Sequence, residues 1–241
     1  MRLDKLLAHA GYGTRKEVKQ VLKKREVLLD GKRVKQGDLH VDIETARLYV
    51  DGKKVNYQMY RYFMLNKPAG VISATEDQAK KTVLDLLKLE DKLLKPFPVG
   101  RLDKDTEGLL LLTNDGTIAH ELLSPKKHID KLYFAKVAGV VTENDVKQFA
   151  TGIDLGDFVS LPAKLNILAI QGETSEIEVI IQEGKFHQIK RMFKAVGKEV
   201  CYLKRLEMGR LQLDKGLAPG EYRELTPDEV MLLQNKEVPI K

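Results

Sequence analysis

Gly100-Arg101-Leu102-Asp103-Lys104-Asp105-Thr106-Glu107-Gly108 runs straight into Leu109-Leu110-Leu111-Leu112 and then into Thr113-Asn114-Asp115-Gly116. Three acids at alternate positions stand beside one arginine and one lysine. Four consecutive leucines follow, and then a turn signal. A charged loop abutting a buried element is how a rigid scaffold presents a reactive group. The leucine run reads as a buried strand, so the acids sit on the loop that enters it.

The residue types leave several chemistries open. Asp103-x-Asp105-x-Glu107-Gly108 imitates the start of a calcium loop, but the twelfth position is Asn114 instead of a bidentate Glu. Asp103 and Asp105, two apart, point the same way in extended chain and could form an acid–base pair of the glycosidase kind. No tryptophan is present to build a sugar platform. A third reading makes one carboxylate a nucleophile, kept ionised by Arg101 and the Lys190/Arg191 pair. The plainest reading is that the acids are turn residues before a strand.

The remaining sequence bounds these choices. The 241 residues suffice for one large domain or two smaller ones. The 32% charged residues and net charge of +6 fit a soluble protein with a polyanionic partner. A single cysteine, Cys201 between Val200 and Tyr202, cannot form an internal disulfide. It reads as a small buried apolar residue in a reducing, cytoplasmic protein. No stretch approaches the roughly 18 apolar residues of a membrane span.

Toward the N-terminus, Leu3, Leu6, Leu7 and Ala10 share a helical face. Gly11-Tyr12-Gly13 interrupts it, and Thr14 with Glu17 forms a capping box for a second helix. Val27–Val34 and Leu48–Val55 each place Asp-Gly between short apolar runs, the signature of a type I′ hairpin. Arg15, Lys16, Lys19, Lys23 and Lys24 line the second helix and suit the phosphates of a nucleic acid. Asn56–Tyr60 reads as a linker.

Beyond it, Tyr62–Leu65 reads as a strand, Asn66–Gly70 as a turn and Val71–Ala74 as a resumed strand. Thr82–Leu87 and Thr117–Leu123 read as helices. Lys131–Val141 reads as a strand with Leu132, Phe134 and Val137 opposite Tyr133 and Lys136. A helix capped at Thr142–Asp145 follows, then the strand Ser175–Gln182, a turn at Glu183–His187 and a basic helix Gln188–Val196. Strands at Val200–Leu206 and Leu211–Leu213 precede a last helix opened by Thr226-Pro227. The interspersion lacks regular βαβ units. It predicts an α+β fold with a mixed, largely antiparallel sheet.

Gly100-Arg101-Leu102-Asp103-x-Asp105-Thr106-x-Gly108-Leu109 also resembles the signature of the RsuA/RluB/E/F family of RNA pseudouridine synthases. Arg61–Gly70 resembles that family's first core strand and turn, and Lys131-x-Tyr133 its tyrosine motif. Glu183–Phe193 resembles its basic motif, and Leu217–Arg223 its closing segment. The first residues, through Gly31, resemble the α-L RNA-binding module of a small-subunit ribosomal protein.

The resemblance implies an α-L module over 1–56, a linker at 57–60 and a pseudouridine synthase catalytic domain over 61–241. Asp103 would be the nucleophile, attacking the ribose anomeric carbon or a uracil ring carbon. Tyr133 would pack on the uracil, and Lys190 would pair with the aspartate, where many relatives have Arg. Arg101 would order the loop or handle RNA, and Asp105 would support the loop. His187 would order its turn. No metal or cofactor is implied. The chain ends soon after its last helix without a long basic tail. That feature and the Arg61–Pro68 strand are similar to the branch acting on small-subunit ribosomal RNA, as a monomer on RNA or on an assembly intermediate. A non-catalytic RNA-binding protein on the same fold is the competing class.

Overall fold

The computed structural model describes residues 1–43, 45–55 and 57–234. Asn56, at the expected linker, and residues 235–241 of the expected catalytic domain lie outside the described residues. The chain forms two compact units. One comprises Met1–Arg61 with Leu87–Pro96, and the other Tyr62–Leu86 with Phe97–Lys241.

The first unit opens with α1 (Leu3–His9) and α2 (Arg15–Lys24). Thr14 and Glu17 complete the capping box in both directions. Four short strands follow: β1 (Val27–Leu29), β2 (Lys32–Arg33), β3 (Leu48–Val50) and β4 (Lys53–Lys54). They form an antiparallel sheet in the order β2-β1-β3-β4. Asp30, Gly31, Asp51 and Gly52 all have positive φ, as a type I′ turn requires of its two central residues. Leu3, Leu7, Val18, Leu22, Val27 and Val50 make the core, with Tyr57 of the expected linker packed against it. The one-turn helix α3 (Leu89–Lys92), not anticipated from the sequence, belongs to this unit.

The second unit is built on β5 (Tyr62–Lys67), β6 (Phe97–Pro98), β7 (Glu107–Thr113), β8 (Lys131–Ala138), β9 (Lys164–Gln171), β10 (Thr174–Ile181), β11 (Glu199–Met208), β12 (Leu211–Gln212) and β13 (Tyr222–Glu224). The sheet runs β13-β5-β7-β11-β8-β10-β9, with β12 beside β11 and β6 beside β7. Among the described residues only the strands β7 and β11 pair in parallel, so the sheet is mixed and largely antiparallel, as expected. Among the described residues four α-helices accompany it: α4 (Gly116–Leu123), α5 (Glu143–Thr151), α6 (Gln188–Ala195) and α7 (Pro227–Leu233).

The leucine run explains the sheet's centre. A strand covered on both faces needs no polar alternation. Leu109, Leu110, Leu111 and Leu112 are all fully buried. Leu109 and Leu111 share a cluster with Tyr62, Met64, Ile118, Leu122 and Leu233, so α4 and α7 cover that face. Elsewhere Phe149 of α5 and Phe193 of α6 meet with ring centroids 4.9 Å apart.

Several expectations are corrected. Asn66 and Lys67 extend β5 instead of turning, because both are buried and stay in register with Leu109 and Gly108. Val71–Ala74 is no strand; only a single bridge joins Ile72 to Thr82. In β8 the buried face carries Lys131, Tyr133, Ala135 and Val137, so Val137 lies with Tyr133 and not with Leu132. Cys201 is exposed, not buried. The β11–β8 register jumps between Val200 and Tyr202, which leaves Cys201 in the bulge, unpaired with β8. β6, β9 and β13 were not anticipated.

Candidate active site

Asp103 lies on the loop between β6 and β7, and that loop is tied down from below. The Lys67 ammonium, at the end of β5, donates to the carbonyls of Pro68 (3.0 Å), Lys104 (3.3 Å) and Thr106 (2.8 Å). Ser73 donates its hydroxyl to the Leu102 carbonyl at 2.9 Å and accepts from the Leu102 N–H at 3.1 Å. The Gly70 N–H donates to the Lys104 carbonyl, and the Thr106 N–H to the Asp103 carbonyl. Leu102 and Thr106, on either side of the acid, are buried. Backbone on both sides of Asp103 is therefore fixed, and its side chain is the part left for chemistry.

The loop joins the sheet through Gly108. A Cβ there would stand 2.2 Å from the Arg205 carbonyl oxygen, and φ is +98°. Only glycine lets β11 approach β7 in parallel at that point. Arg205, itself buried, donates Nε to the Leu109 carbonyl at 2.7 Å and locks the two strands.

Two side chains, Lys190 and His187, meet the Asp103 carboxylate. Lys190 Nζ, on α6, is 3.2 Å from Asp103 Oδ2 and 2.6 Å from Asp105 Oδ1. His187 Nε2 is 3.7 Å from Asp103 Oδ1. Burial disfavours the Lys190 charge, but the hydrogen bonds to Asp105 and Asp103 outweigh it and hold its pKa above the ordinary lysine value. The Lys190 hydrogen bond likewise holds Asp105 below the usual carboxylate range. One ammonium thus serves two acids, and its closer partner is the 72% exposed Asp105 side chain. The expected pairing of Arg191 with Asp103 is corrected. Arg191 turns away to Asp157 and the Leu155 carbonyl and lies over the Phe158 ring. Residues 190 and 191 are neighbours on a helix, so they cannot both face one site.

Tyr133, buried on β8 between Val179 of β10 and Arg205 of β11, lines the same cleft as Asp103 and Lys190. Arg101, exposed, stands on its wall with Thr106, Ile181 and Leu203. Sequence reasoning missed Lys67, Ser73 and the closeness of His187 to the carboxylate. Two signals existed: a lysine continuing an apolar strand, and a histidine entering a basic helix.

The expected RNA-binding residues Arg15, Lys16, Lys19, Lys23 and Lys24 are exposed along α2. Arg15 also lies 3.8 Å from the buried Asp4 carboxylate, which Arg2 holds at 2.9 Å. Burial works against the Asp4 charge, but these two arginines prevail and keep its pKa low. Part of the charge of Arg15 therefore serves the fold.

Comparison with known proteins gives consistent results across the chain. Residues 61–195 match the RNA pseudouridylate synthase family and residues 1–46 the S4 domain. An uncharacterised RNA pseudouridine synthase of Bacillus subtilis is 52% identical over 98% of this chain and its own full length. The ribosomal large subunit pseudouridine synthase B of the same organism is 42% identical, covering 97% of this chain and 95% of its own. The ribosomal small subunit pseudouridine synthase A of Yersinia pestis is 40% identical, covering 95% and 97%. A crystal structure of a pseudouridylate synthase superposes with a TM-score of 0.67 at 36% identity over 97% of this chain and 99% of that one.

Proposed function

The chain belongs to the RNA pseudouridylate synthase family, and on that premise we propose that it converts a specific uridine of small-subunit ribosomal RNA to pseudouridine. The observation that carries the reading is the single carboxylate, Asp103, held on a fixed backbone 3.2 Å from Lys190 in a cleft lined by Tyr133.

In the proposed reaction Asp103 attacks carbon as a nucleophile. The glycosidic C–N bond breaks, the freed uracil rotates, its ring carbon five bonds to the ribose, and the bond that Asp103 had made to carbon breaks, which regenerates the carboxylate. The proton on carbon five is lost and the ring nitrogen gains one, so the isomerisation conserves mass. Lys190 keeps a cation beside the carboxylate. Tyr133 offers its ring as a floor for the base and helps to move the carbon-five proton. Unstacking a base costs a few kcal/mol, and an aromatic floor offsets part of it.

Ribosomal RNA as substrate is supported by relatives named for both subunits. Their 42% and 40% identities do not separate the branches, and the small-subunit choice rests on the Arg61–Pro68 strand. The proposal takes the enzyme as a cytoplasmic monomer acting on RNA or on an assembly intermediate. Mapping pseudouridines in ribosomal RNA from cells with and without the protein tests it. One uridine of the small-subunit RNA is expected to lose its modification. A lost site in the large-subunit RNA would move the enzyme to the other branch, and no lost site in either would overturn the substrate.

The basic face of α2 supports RNA binding through phosphates, which carry no sequence information. Changing Lys19, Lys23 and Lys24 together to glutamine is expected to weaken RNA binding. The slope of log affinity against log salt should fall by about 2–3, one near-unit step for each phosphate left without its lysine. Filter binding across a salt series measures it, and an unaltered slope would remove this face from the RNA path.

A further inference from the structure

Phe186 is the most exposed aromatic side chain among the described residues, at 71%. The other phenylalanines of this unit are buried or half-buried. A single exposed apolar side chain is by itself normal on a protein surface. Yet the ring is held. It stacks on His187 with centroids 3.8 Å apart and planes at 16°. His187 adopts φ +50° and ψ +30°, a left-handed conformation that non-glycine residues rarely take. The same bend brings His187 Nε2 within 3.7 Å of Asp103 Oδ1. Carboxylate, imidazole and phenyl ring thus neighbour one another in series, and the series ends on the exposed ring.

The surroundings favour a nucleotide over a protein side chain as occupant. Arg101 stands exposed on the cleft wall. Lys185, next to Phe186, lies 5.7 Å over the Phe158 ring, which also carries Arg191 at 5.2 Å. A flat apolar face among cations fits a base flanked by its phosphates. Extruding the target uridine also strips its neighbours of a stacking partner.

We propose that Phe186, backed by His187, is a stacking platform for an unpaired nucleobase adjacent to the target uridine. The inference rests on the proposed uridine isomerisation at Asp103. His187 acts as the positioning residue that fixes the ring beside that site. Because every base has a π-face, the platform tolerates any base and contributes to affinity for unstacked RNA instead of to sequence choice.

Two measurements test this. The first is steady-state pseudouridine formation on ribosomal RNA purified from cells lacking the protein. Phe186→Ala is expected to raise KM about tenfold or more and leave kcat within about twofold, in line with the loss of one base–aromatic stack. Phe186→Tyr should keep the wild-type KM, and Phe186→Leu should behave like alanine. An unchanged KM in Phe186→Ala, or a leucine variant as good as wild type, would overturn the platform. So would a loss confined to thermal stability.

The second measurement needs no catalysis. A single-stranded oligouridylate carrying one 2-aminopurine should lose fluorescence on binding the wild-type protein and keep it on binding Phe186→Ala. Quenching by the wild type with no product from ribosomal RNA would sink the isomerase reading and leave the stacking surface standing. Equal quenching by both proteins would sink the platform alone.

Discussion

Asp103→Asn is expected to reduce pseudouridine formation by at least ~10³-fold, with RNA affinity within about twofold of wild type and an unchanged melting temperature. Asparagine keeps the size and most of the hydrogen-bonding capacity of the side chain, but it is neutral and no nucleophile. The fold does not depend on the carboxylate. The structural work of residue 103 is done by its carbonyl, which accepts from the Thr106 N–H. Lys190 keeps its closer partner, Asp105 at 2.6 Å, so no cation is stranded. The exposed lysines of α2 are untouched. Product accumulating at the wild-type rate would remove the nucleophile. Affinity lost together with activity would make Asp103 a binding residue. Free uracil released by the wild type would point to glycosidic hydrolysis instead of isomerisation. A protein that only binds RNA predicts no product from either form.

What the sequence made legible was local. The capping box at Thr14 and Glu17, both Asp-Gly turns and the buried Leu109–Leu112 strand are each decided by a few neighbouring residues, and the structure has them. The assembly around Asp103 is decided across the sheet. Lys190 comes from α6 and Tyr133 from β8, and no spacing announces that they meet; family resemblance alone nominated Tyr133 and singled out Lys190 from its pair with Arg191. The errors have the same origin. The Asn66–Gly70 segment looks like a turn because Asn, Pro and Gly dominate it, and the cross-strand register with Leu109 and Gly108 that overrides this is invisible locally. The residues flanking Cys201 look apolar, but a bulge in the β11–β8 ladder puts the thiol outside. Phe186 reads as one more apolar residue until its exposure is known.

Lys67 is where that misreading matters most. It is fully buried, and its ammonium satisfies three main-chain carbonyls that shape the Asp103 loop. Lys67→Met fills the space but donates nothing. The Lys104 carbonyl would keep its bond from the Gly70 N–H. The other two would lose this donor, at about 1–3 kcal/mol for each buried acceptor left unpaired. A loss of about 2–4 kcal/mol is expected, or roughly 5–15 °C in melting temperature. Activity should fall about 10²-fold even where the variant remains folded, because a shift of order 1 Å in the loop misplaces the carboxylate.

The same side chain should leave a signature in pH. Burial pushes the Lys67 ammonium down from 10.5 to about 8, against the pull of Asp105, Asp103 and Glu107. Between these values the unfolded chain binds more protons than the folded one, so stability gained from this group rises with pH across the window. It is lost as pH falls through about 8. Methionine has no such titration. The stability deficit of Lys67→Met relative to wild type should therefore widen between pH 8 and pH 10.5. Paired thermal melts across that range measure it. A deficit that stays flat would mean that the amine is not desolvated, and an unchanged melting temperature at pH 7 would mean that the three carbonyls do not need it.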